Sequence, residues 1–330
     1  MSNSLVTIIV PCKNEQATIR FLLEAVYSQT YPRAWIELVI ADGLSEDRTR
    51  AEIARFSQEF TDLKVIVVDN PRRAIPTALN VALKAAHGEI ILRLDAHSVP
   101  EPDYVARSVE ALQAGKGENI GGVWQIRPRR KGMVAASIAA AAAHPLGVGD
   151  ALYRYTTQAA YVDTVPFGCF WRRTLEELGG YDETLMTNED YELNTRIRQR
   201  GGRIWLDPSI RSVYFARATF GALAQQYWRY GYWKVQMLRR YPGTLRWRQA
   251  LPPIFVLSLL GLAVLALFLQ LARWALLVEV ALYLVVLLAG ASRTARRAGD
   301  WRLAAGIPVA IALMHLCWGS GFLAGLFHRS

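Results

Sequence analysis

The stretch EIILRLDAHSVP, residues 89–100, decides how the first two thirds of this chain are organised. Its apolar residues, with Arg93 among them, predict a short buried strand that Pro100 prevents from continuing. Asp95 and His97 follow this strand directly. A carboxylate and an imidazole at the carboxyl end of a parallel strand lie where an open α/β sheet binds its ligand. Both groups can ligate a divalent cation that holds a diphosphate, although an isolated D-x-H is also typical of an ordinary polar turn.

The composition divides the chain into two parts. It has 330 residues, a formal net charge of +10 and 52% hydrophobic residues, which are unevenly spread. Residues 1–245 have the composition of a soluble α/β domain with a sizeable core. Residues 250–272 and 303–327 contain no charged residue, and residues 274–291 are apolar apart from Glu279. Because a bilayer is crossed by roughly 20 apolar residues, these three segments are predicted to be membrane helices.

Arginines flank the predicted membrane helices and indicate their orientation. One group precedes the first helix and a second lies between the second and third: Arg239, Arg240, Arg246 and Arg248, then Arg293, Arg296, Arg297 and Arg302. The positive-inside rule puts both groups in the cytoplasm, with a turn at Arg273 and the C-terminal end outside. No signal peptide is recognisable at the start, so we expect a multi-pass protein of the inner (plasma) membrane with a cytoplasmic α/β domain.

Strands and helices alternate over the first part of the chain. Strands are predicted over residues 6–12, 37–43 and 64–70 and before Asp95, each followed by a helix, and another strand over residues 162–173. Such alternation predicts a mostly parallel, Rossmann-like sheet with helical crossovers. The strand ends carry four polar or acidic residues that are expected to share one edge of the sheet: Asn14, Glu15, Asp42 and Asp95.

Two common nucleotide-binding motifs are missing from the sequence. No G-x-G-x-x-G follows an early strand, and there is no G-x-x-x-x-G-K-[ST]. A dinucleotide dehydrogenase and a P-loop enzyme therefore lose their main support. An acidic sheet edge without a glycine loop favours a metal as the carrier of phosphates, and Asp42 would then suit hydrogen bonding to a base or ribose.

A second acidic cluster lies in residues 179–200, where Glu189 and Asp190 open a predicted helix. Two interpretations are open at this point. Carboxylates in a first helical turn complement the helix dipole, or one of them is a general base directed at the sheet edge.

Two further segments are expected at or near a membrane. The Ala-rich residues 133–143 are too short to span and predict a buried or interfacial helix. Residues 219–248 interleave aromatic residues with cations just before the first membrane helix, which is typical of an interfacial helix at anionic headgroups. Nucleic acids are bound by the same residue types, but the adjacent membrane helices argue against a nucleic-acid partner.

Four motifs together carry a family resemblance. VTIIVPCKNE, ELVIADGLSEDRT, LRLDAHSVP and GGYDETLMTNEDYELNTRIRQRGG follow one another in this order. They resemble bacterial family 2 glycosyltransferases of the GT-A fold. The tail, VYFARATFGALAQQYWRYGYWK with apolar segments after it, is similar to the succinoglycan-type exopolysaccharide glucosyltransferases. The resemblance implies a GT-A domain over residues 1–218, an amphipathic interfacial segment over 219–249 and a membrane domain of about three helices over 250–330.

The resemblance also implies roles for individual residues. The uracil and ribose of a UDP-sugar donor would be surrounded by Pro11, Asn14, Glu15 and Asp42. Asp95 and His97 fall on the D-x-D site that holds Mg²⁺ or Mn²⁺ on the donor diphosphate, with His97 where a second Asp is usual; an imidazole suits Mn²⁺ better than Mg²⁺. Asp190 falls on the catalytic base, and Glu189 would orient the acceptor or a neighbouring loop. Phosphate or acceptor contacts are expected from Arg217, Gln226 and Lys234.

The implied activity is inverting transfer of one sugar from a UDP-sugar, with UDP-glucose as the first choice. The acceptor would be a polyprenyl diphosphate-linked saccharide in exopolysaccharide or cell-surface polysaccharide synthesis. The Q-x-x-R-W motif of processive synthases is matched only in composition, by residues 225–229, which favours single-sugar transfer. Three alternatives stay open: a polyprenyl-phosphate glycosyltransferase, a processive synthase, and a non-catalytic membrane scaffold that kept the fold.

Overall fold

The computed structural model describes residues 3–327. The chain folds as two compact units. The first contains the residues up to Gln125 together with Tyr155–Tyr214, and the second contains Ile126–Arg154 together with the residues from Phe215 onward. The C-terminal end that we expected outside the membrane, residues 328–330, lies beyond the described part of the chain.

The first unit is organised by a nine-stranded sheet. Its strands are β1 (Val6–Cys12), β2 (Ile36–Asp42), β3 (Lys64–Asp69), β4 (Ile90–Arg93), β5 (Val99–Pro100), β6 (Asn119–Pro128), β7 (Ala160–Val162), β8 (Cys169–Trp171) and β9 (Ile204–Ala216). Their order is β3-β2-β1-β4-β8-β6-β9-β5, and β7 pairs with β9. The first four strands in this order are parallel, and β4 pairs with β8 antiparallel. The predicted parallel sheet is therefore found in the half whose strands lead to Asn14, Glu15, Asp42 and Asp95.

Helices cover the sheet and form the rest of the chain. In chain order they are α1 (Ile19–Tyr27), α2 (Thr49–Glu59), α3 (Ile75–Ala85), α4 (Tyr104–Gln113), α5 (Met133–Ala142), α6 (Pro145–Val148), α7 (Arg172–Glu177), α8 (Glu189–Gln199), α9 (Phe220–Arg240), α10 (Trp247–Leu265), α11 (Gln270–Ala298) and α12 (Leu303–Phe327). Every residue of β2 and β4 is buried. Strands buried on both faces read as continuous apolar runs, which is why the sequence located them well.

The strand predicted over residues 162–173 is wrong. β7 ends at Val162 and β8 begins only at Cys169. Between them the backbone takes positive φ angles at Phe167 (65°) and Gly168 (120°), which extended strands do not adopt. A side chain at Gly168 would also overlap the side chains of Asn119 and Phe170. The chain therefore forms a tight loop here, and this loop borders the candidate site.

The second unit contains three helices long and apolar enough to cross a membrane: Trp247–Leu265, Gln270–Ala298 and Leu303–Phe327. Their number agrees with the prediction, but two boundaries do not. The first helix ends at Leu265, and Arg273 lies inside α11, where its Nε donates to the carbonyl oxygen of Ala266 at 2.7 Å. The apolar run extends across this turn, so composition alone could not locate it. Likewise Arg293, Arg296 and Arg297 belong to the end of α11.

Small residues let the helices of the second unit pack closely. α5 buries most of its alanines and contacts α12, where a side chain at Gly306 would overlap Ser137. α9, predicted as an interfacial helix, packs along α12. A side chain at Gly231 would overlap the carbonyl oxygen of Trp318. Arg239 donates to the carbonyl oxygens of the last described turn of α12, at 3.1 and 3.2 Å.

The contact between α9 and α12 gives a stability prediction. Gly231→Ala should lower the melting temperature of the purified protein, because the added methyl group meets backbone atoms, and overpacking costs about 1–3 kcal/mol. Gly261→Ala in α10 is the matched control, since within residues 3–327 its added methyl group meets no atom within 4 Å outside its chain neighbours and its own helix backbone. Alanine is the better helix former by about 1 kcal/mol, so the control should melt at the wild-type temperature or above. Equal melting temperatures for the two variants would contradict this packing.

Candidate active site

The carboxyl ends of β1, β2 and β4 meet at one edge of the sheet. In the parallel register Cys12 lies opposite Asp42, and Ile9 lies opposite Arg93. The residues that follow these strands therefore come to the same edge, as the sequence predicted.

Arg93, the last residue of β4, is at the centre of the site. Its side chain is only 3% exposed and contacts three carboxylates. Nη2 donates to Oε1 of Glu189 at 2.9 Å and to Oδ1 of Asp95 at 3.2 Å, while Nη1 donates to Asp190. One guanidinium thus joins Asp95 to the Glu189–Asp190 pair, two acidic motifs that are far apart in the sequence. Arg93 was not predicted to be a site residue, although a single charge within an apolar strand was a signal for it.

The position of Asp190 is fixed by the way α8 is anchored. Glu192 is buried and pairs with Arg196 one turn later, at 2.6 Å. Arg196 also donates to the carbonyl oxygens of Leu178 and Gly180, at 2.7 Å each. The second turn of α8 is therefore tied to the preceding loop, and its first turn faces Arg93.

The surroundings of Asp190 change its affinity for protons. Its pKa is raised to about 7: burial is the largest cause, Glu189 and Asp95 raise the pKa as well, and Arg93 lowers it. The backbone N–H of Phe167, in the loop between β7 and β8, also bonds to it. The pKa of Arg93 is raised well above its usual range by the same carboxylates, against the effect of burial. Asp190 can consequently gain and lose a proton near neutral pH.

The residues predicted to bind the nucleotide of the sugar donor follow β1 and β2, in two loops that are joined by hydrogen bonds. Asn14 has a φ of 54°; its N–H donates to Ser45 Oγ at 2.8 Å, and its Oδ1 accepts from the N–H of Glu46 at 2.9 Å. The N–H of Glu15 donates to Thr49 Oγ1 at 2.8 Å. Asn14 therefore holds the second loop in place, while Pro11 lies opposite Ala41 in the strand register.

Asp42 is completely buried and bonded within the protein. It accepts from the N–H of Ser45 at 3.0 Å and from Nε of Arg50 at 2.5 Å. Arg50 also pairs with Asp69 at the end of β3, so it connects the ends of two neighbouring strands. These contacts give Asp42 a structural role at the edge; its contact with a base or ribose remains a prediction.

Asp95 and His97 are the residues predicted to hold a metal ion. Their side chains are 27% and 36% exposed, and Nδ1 of His97 lies 3.1 Å from Oε1 of Glu15. Within residues 3–327 no three His, Cys, Asp or Glu side chains are grouped to hold a metal. Mg²⁺ and similar ions are usually held by one or two carboxylates, with water and substrate phosphates as the other ligands. A metal held by Asp95 and His97 would therefore need water or substrate phosphates as its other ligands, and its binding remains a prediction.

The three residues predicted to contact phosphate or acceptor lie in the second unit. Nε of Arg217 donates to Oε1 of Gln226 at 3.3 Å, and Gln226 donates to the Tyr230 hydroxyl at 2.8 Å. Lys234 is buried and donates to the carbonyl oxygen of Thr244 at 3.1 Å. The structure thus brings Arg217 and Gln226 together, whereas Lys234 connects α9 to the turn that follows it. The roles of these three residues toward a ligand remain predictions.

Comparison with known proteins gives consistent matches. The model of the family Glycosyl transferase family 2 matches residues 7–178. The succinoglycan biosynthesis protein ExoA of Rhizobium meliloti (strain 1021) is 31% identical over 319 residues, which is 96% of this chain and 93% of that protein. A dolichyl N-acetyl-α-D-glucosaminyl phosphate 3-β-D-2,3-diacetamido-2,3-dideoxy-β-D-glucuronosyltransferase of Methanococcus voltae is 26% identical, over 98% of this chain and 97% of its own.

Solved structures share the fold. The mannosyltransferase PcManGT from Pyrobaculum calidifontis, in complex with GDP-Man and Mn²⁺, superimposes with a TM-score of 0.63 and 25% identity, over 100% of this chain and 89% of its own. Residues 1–349 of S. aureus TarS, in complex with UDP-GlcNAc, give a TM-score of 0.52 at 14% identity, which supports the fold alone.

Proposed function

Because this chain belongs to glycosyl transferase family 2 and has the GT-A fold that its motifs predicted, we propose that it transfers one sugar, with inversion, from a UDP-sugar to a lipid-linked glycan. One observation carries the proposal. Asp190, on α8, and Asp95, after β4, meet on the guanidinium of Arg93. A candidate base and a candidate metal ligand thus lie beside each other at the sheet edge.

Asp190 is proposed to act as the general base. A sugar hydroxyl has too high a pKa to attack unaided, so a carboxylate within hydrogen-bond reach must accept its proton as the new bond forms. A base is most effective when its pKa is near the working pH, and burial together with the neighbouring carboxylates raises the pKa of Asp190 to about 7. A single displacement assisted by a single base inverts the anomeric carbon. Glu189, on the same guanidinium, would orient the acceptor or a neighbouring loop.

Asp95 and His97 are proposed to hold Mn²⁺ or Mg²⁺. The structure of PcManGT with GDP-Man and Mn²⁺ supports a divalent metal in this fold. When bound, the metal supplies positive charge that stabilises the departing nucleoside diphosphate. Asp95 presents a partly exposed carboxylate at the strand end, and His97 is oriented by its contact with Glu15.

The acceptor is proposed to be membrane-bound. The Methanococcus voltae relative is named for transfer to a dolichyl phosphate-linked sugar, and ExoA is named for succinoglycan biosynthesis. Three apolar helices in the second unit would keep the enzyme at the membrane that holds such a lipid. The arginine-rich flanks favour the inner membrane with the first unit in the cytoplasm, where nucleotide sugars are found.

A donor panel tests the proposed function. Membranes containing the protein should be incubated with radiolabelled UDP-glucose, UDP-galactose, UDP-N-acetylglucosamine and GDP-mannose, and the lipids extracted. We expect one UDP-sugar, with UDP-glucose as the first choice, to label a lipid-linked saccharide by a single residue. Labelling from GDP-mannose alone would overturn the proposed donor, and long products would favour a processive synthase. Absence of label with every donor, in membranes supplied with lipid-linked acceptor, would contradict the activity.

The raised pKa of Asp190 also predicts how the rate of transfer depends on pH. The acid limb of kcat/KM for the acceptor should rise as the pH increases through about 7 and then level off, because only the ionised carboxylate accepts the proton. The rate rises with pH because the pKa of Asp190 is raised, so that Asp190 stays protonated, and inactive as a base, to a higher pH than an ordinary aspartate. Rates measured from about pH 5 to about pH 9 should show this limb in the wild type and lack it in Asp190→Asn. A flat profile through neutral pH in the wild type would contradict the assignment.

A further inference from the structure

Arg93 is the least expected group in the site. It lies at the end of a strand whose residues are all buried, and its own side chain is 3% exposed. The two terminal nitrogens of its guanidinium face different partners: Nη1 faces Asp190, and Nη2 faces Glu189 and Asp95. One planar group therefore contacts both acidic motifs of the site.

Stability alone does not account for this arginine. Taking charges out of water costs several kcal/mol per ion, and buried ion pairs often stabilise a fold no better than apolar residues of similar size. Among the described residues, Nε of Arg93 is buried and has no hydrogen-bond partner. A buried arginine retained for the fold would be expected to satisfy all its donors. The donors that are satisfied are those that face the three carboxylates.

We propose that Arg93 is a positioning residue that sets the spacing between the base and the metal-binding carboxylate; this inference rests on the proposed function. Three carboxylates at this edge repel one another, and without a cation between them Asp190 would move away from Asp95. The guanidinium is rigid and forked, so it fixes two directions at once. A lysine carries the same charge at a single point and cannot face both acidic motifs in this geometry.

The effect of Arg93 on the catalytic rate can be distinguished from an effect on binding of the donor. A displacement of a catalytic group by about 1 Å can cost about 10²-fold in rate, whereas UDP contacts made by other residues are unaffected. Replacing Arg93 should therefore lower kcat much more than it weakens UDP binding. A merely structural arginine would instead lower the melting temperature and leave kcat of the folded enzyme unchanged.

Arg93→Lys and Arg93→Met test the inference, with Arg20→Met as the matched control. Arg20 also pairs with two carboxylates, Glu24 and Glu59, at 2.6 Å each, but these lie on α1 and α2 and neither belongs to the site. For each purified full-length variant, kcat, KM, the dissociation constant of UDP and the melting temperature should be measured. We expect Arg93→Met to lose about 10²-fold in kcat and Arg93→Lys to lose about tenfold or more, both with UDP affinity within about threefold of wild type. Arg20→Met should keep kcat within about threefold of wild type, with any loss confined to the melting temperature.

Each outcome decides the inference. Folded Arg93→Lys and Arg93→Met enzymes with near-normal kcat would overturn it. If Arg93→Met does not fold, Arg93→Lys decides: a folded lysine variant with reduced kcat supports positioning, and loss of folding in both variants would assign Arg93 to the fold instead. Asp190→Asn is measured in parallel. Normal turnover in Asp190→Asn would refute the proposed base itself, whereas an inactive Asp190→Asn beside active Arg93 variants would refute only the role of Arg93.

Discussion

Replacing Asp190 by asparagine should lower turnover by about 10²–10⁴-fold, the usual contribution of a positioned general base. The change keeps the size of the side chain, so fold and UDP binding should be retained. The amide cannot accept a proton, and raising the pH should recover little of the rate. Turnover with the lipid-linked acceptor, UDP affinity and melting temperature are the three measurements needed.

Glu189→Gln is the matched control for Asp190→Asn. Both carboxylates contact Arg93 and both lie in the first turn of α8. If Glu189 orients the acceptor, its variant should lose less turnover, chiefly through a higher KM. If both residues only complement the helix dipole, each change should cost roughly 0.3–1 kcal/mol of stability and leave turnover nearly intact.

A stable Asp190→Asn enzyme with near-normal turnover would remove the base from the mechanism. The polyprenyl-phosphate alternative would then become the better hypothesis, because its nucleophile, a phosphate oxygen, is already ionised and needs no base.

The sheet edge was predictable because its strands follow a simple physical rule. Strands covered on both faces are continuous apolar runs, and the carboxyl ends of parallel strands form the ligand-binding edge of an α/β sheet. β2 and β4 follow this rule and are buried throughout. Asp95 could therefore be placed from its position after an apolar run, without any long-range contact being known.

Three features could not be read from local patterns. The pairing of Arg93 with Asp190 joins residues 97 positions apart, and no periodicity encodes such a contact. The loop before β8 depends on positive φ at Phe167 and Gly168, in a segment whose composition favours a strand. The turn between α10 and α11 lies inside an apolar run, where the free energy of burial in lipid hardly changes from residue to residue.

In the loops that follow β1 and β2, a residue can have both the role implied by the family and a structural role. Asn14 and Asp42 were assigned to the nucleotide by resemblance, yet both bond to the loop that follows β2. Asp42 is buried and bonds to Ser45 and Arg50. Their replacement is thus expected to disturb the loop as well as any nucleotide bound to it, and a loss of donor affinity alone would not separate the two roles.

Removing divalent metal should abolish transfer. Asp95 supplies the carboxylate at the strand end and His97 the imidazole, and Mn²⁺ accepts imidazole more readily than Mg²⁺ does. EDTA should therefore stop the reaction, and Mn²⁺ should restore it at least as well as Mg²⁺. Asp95→Asn should lose about 10²-fold or more in turnover at saturating metal, since the neutral amide is a poorer ligand for a hard cation.

His97→Asp separates the metal assignment from other effects of these residues. A second carboxylate in place of the imidazole should improve Mg²⁺ relative to Mn²⁺, because carboxylate oxygens are the ligands that Mg²⁺ prefers. Binding of Mn²⁺ to the enzyme in the presence of UDP, followed by electron paramagnetic resonance, gives a readout that does not depend on turnover. Mn²⁺ binding should weaken in Asp95→Asn and remain unchanged in Asp190→Asn, because Asp190 is proposed to act on the acceptor and not on the metal. Full activity in chelator would show that the donor is held without a metal, and equal Mn²⁺ binding in all three variants would show that Asp95 and His97 are not its ligands.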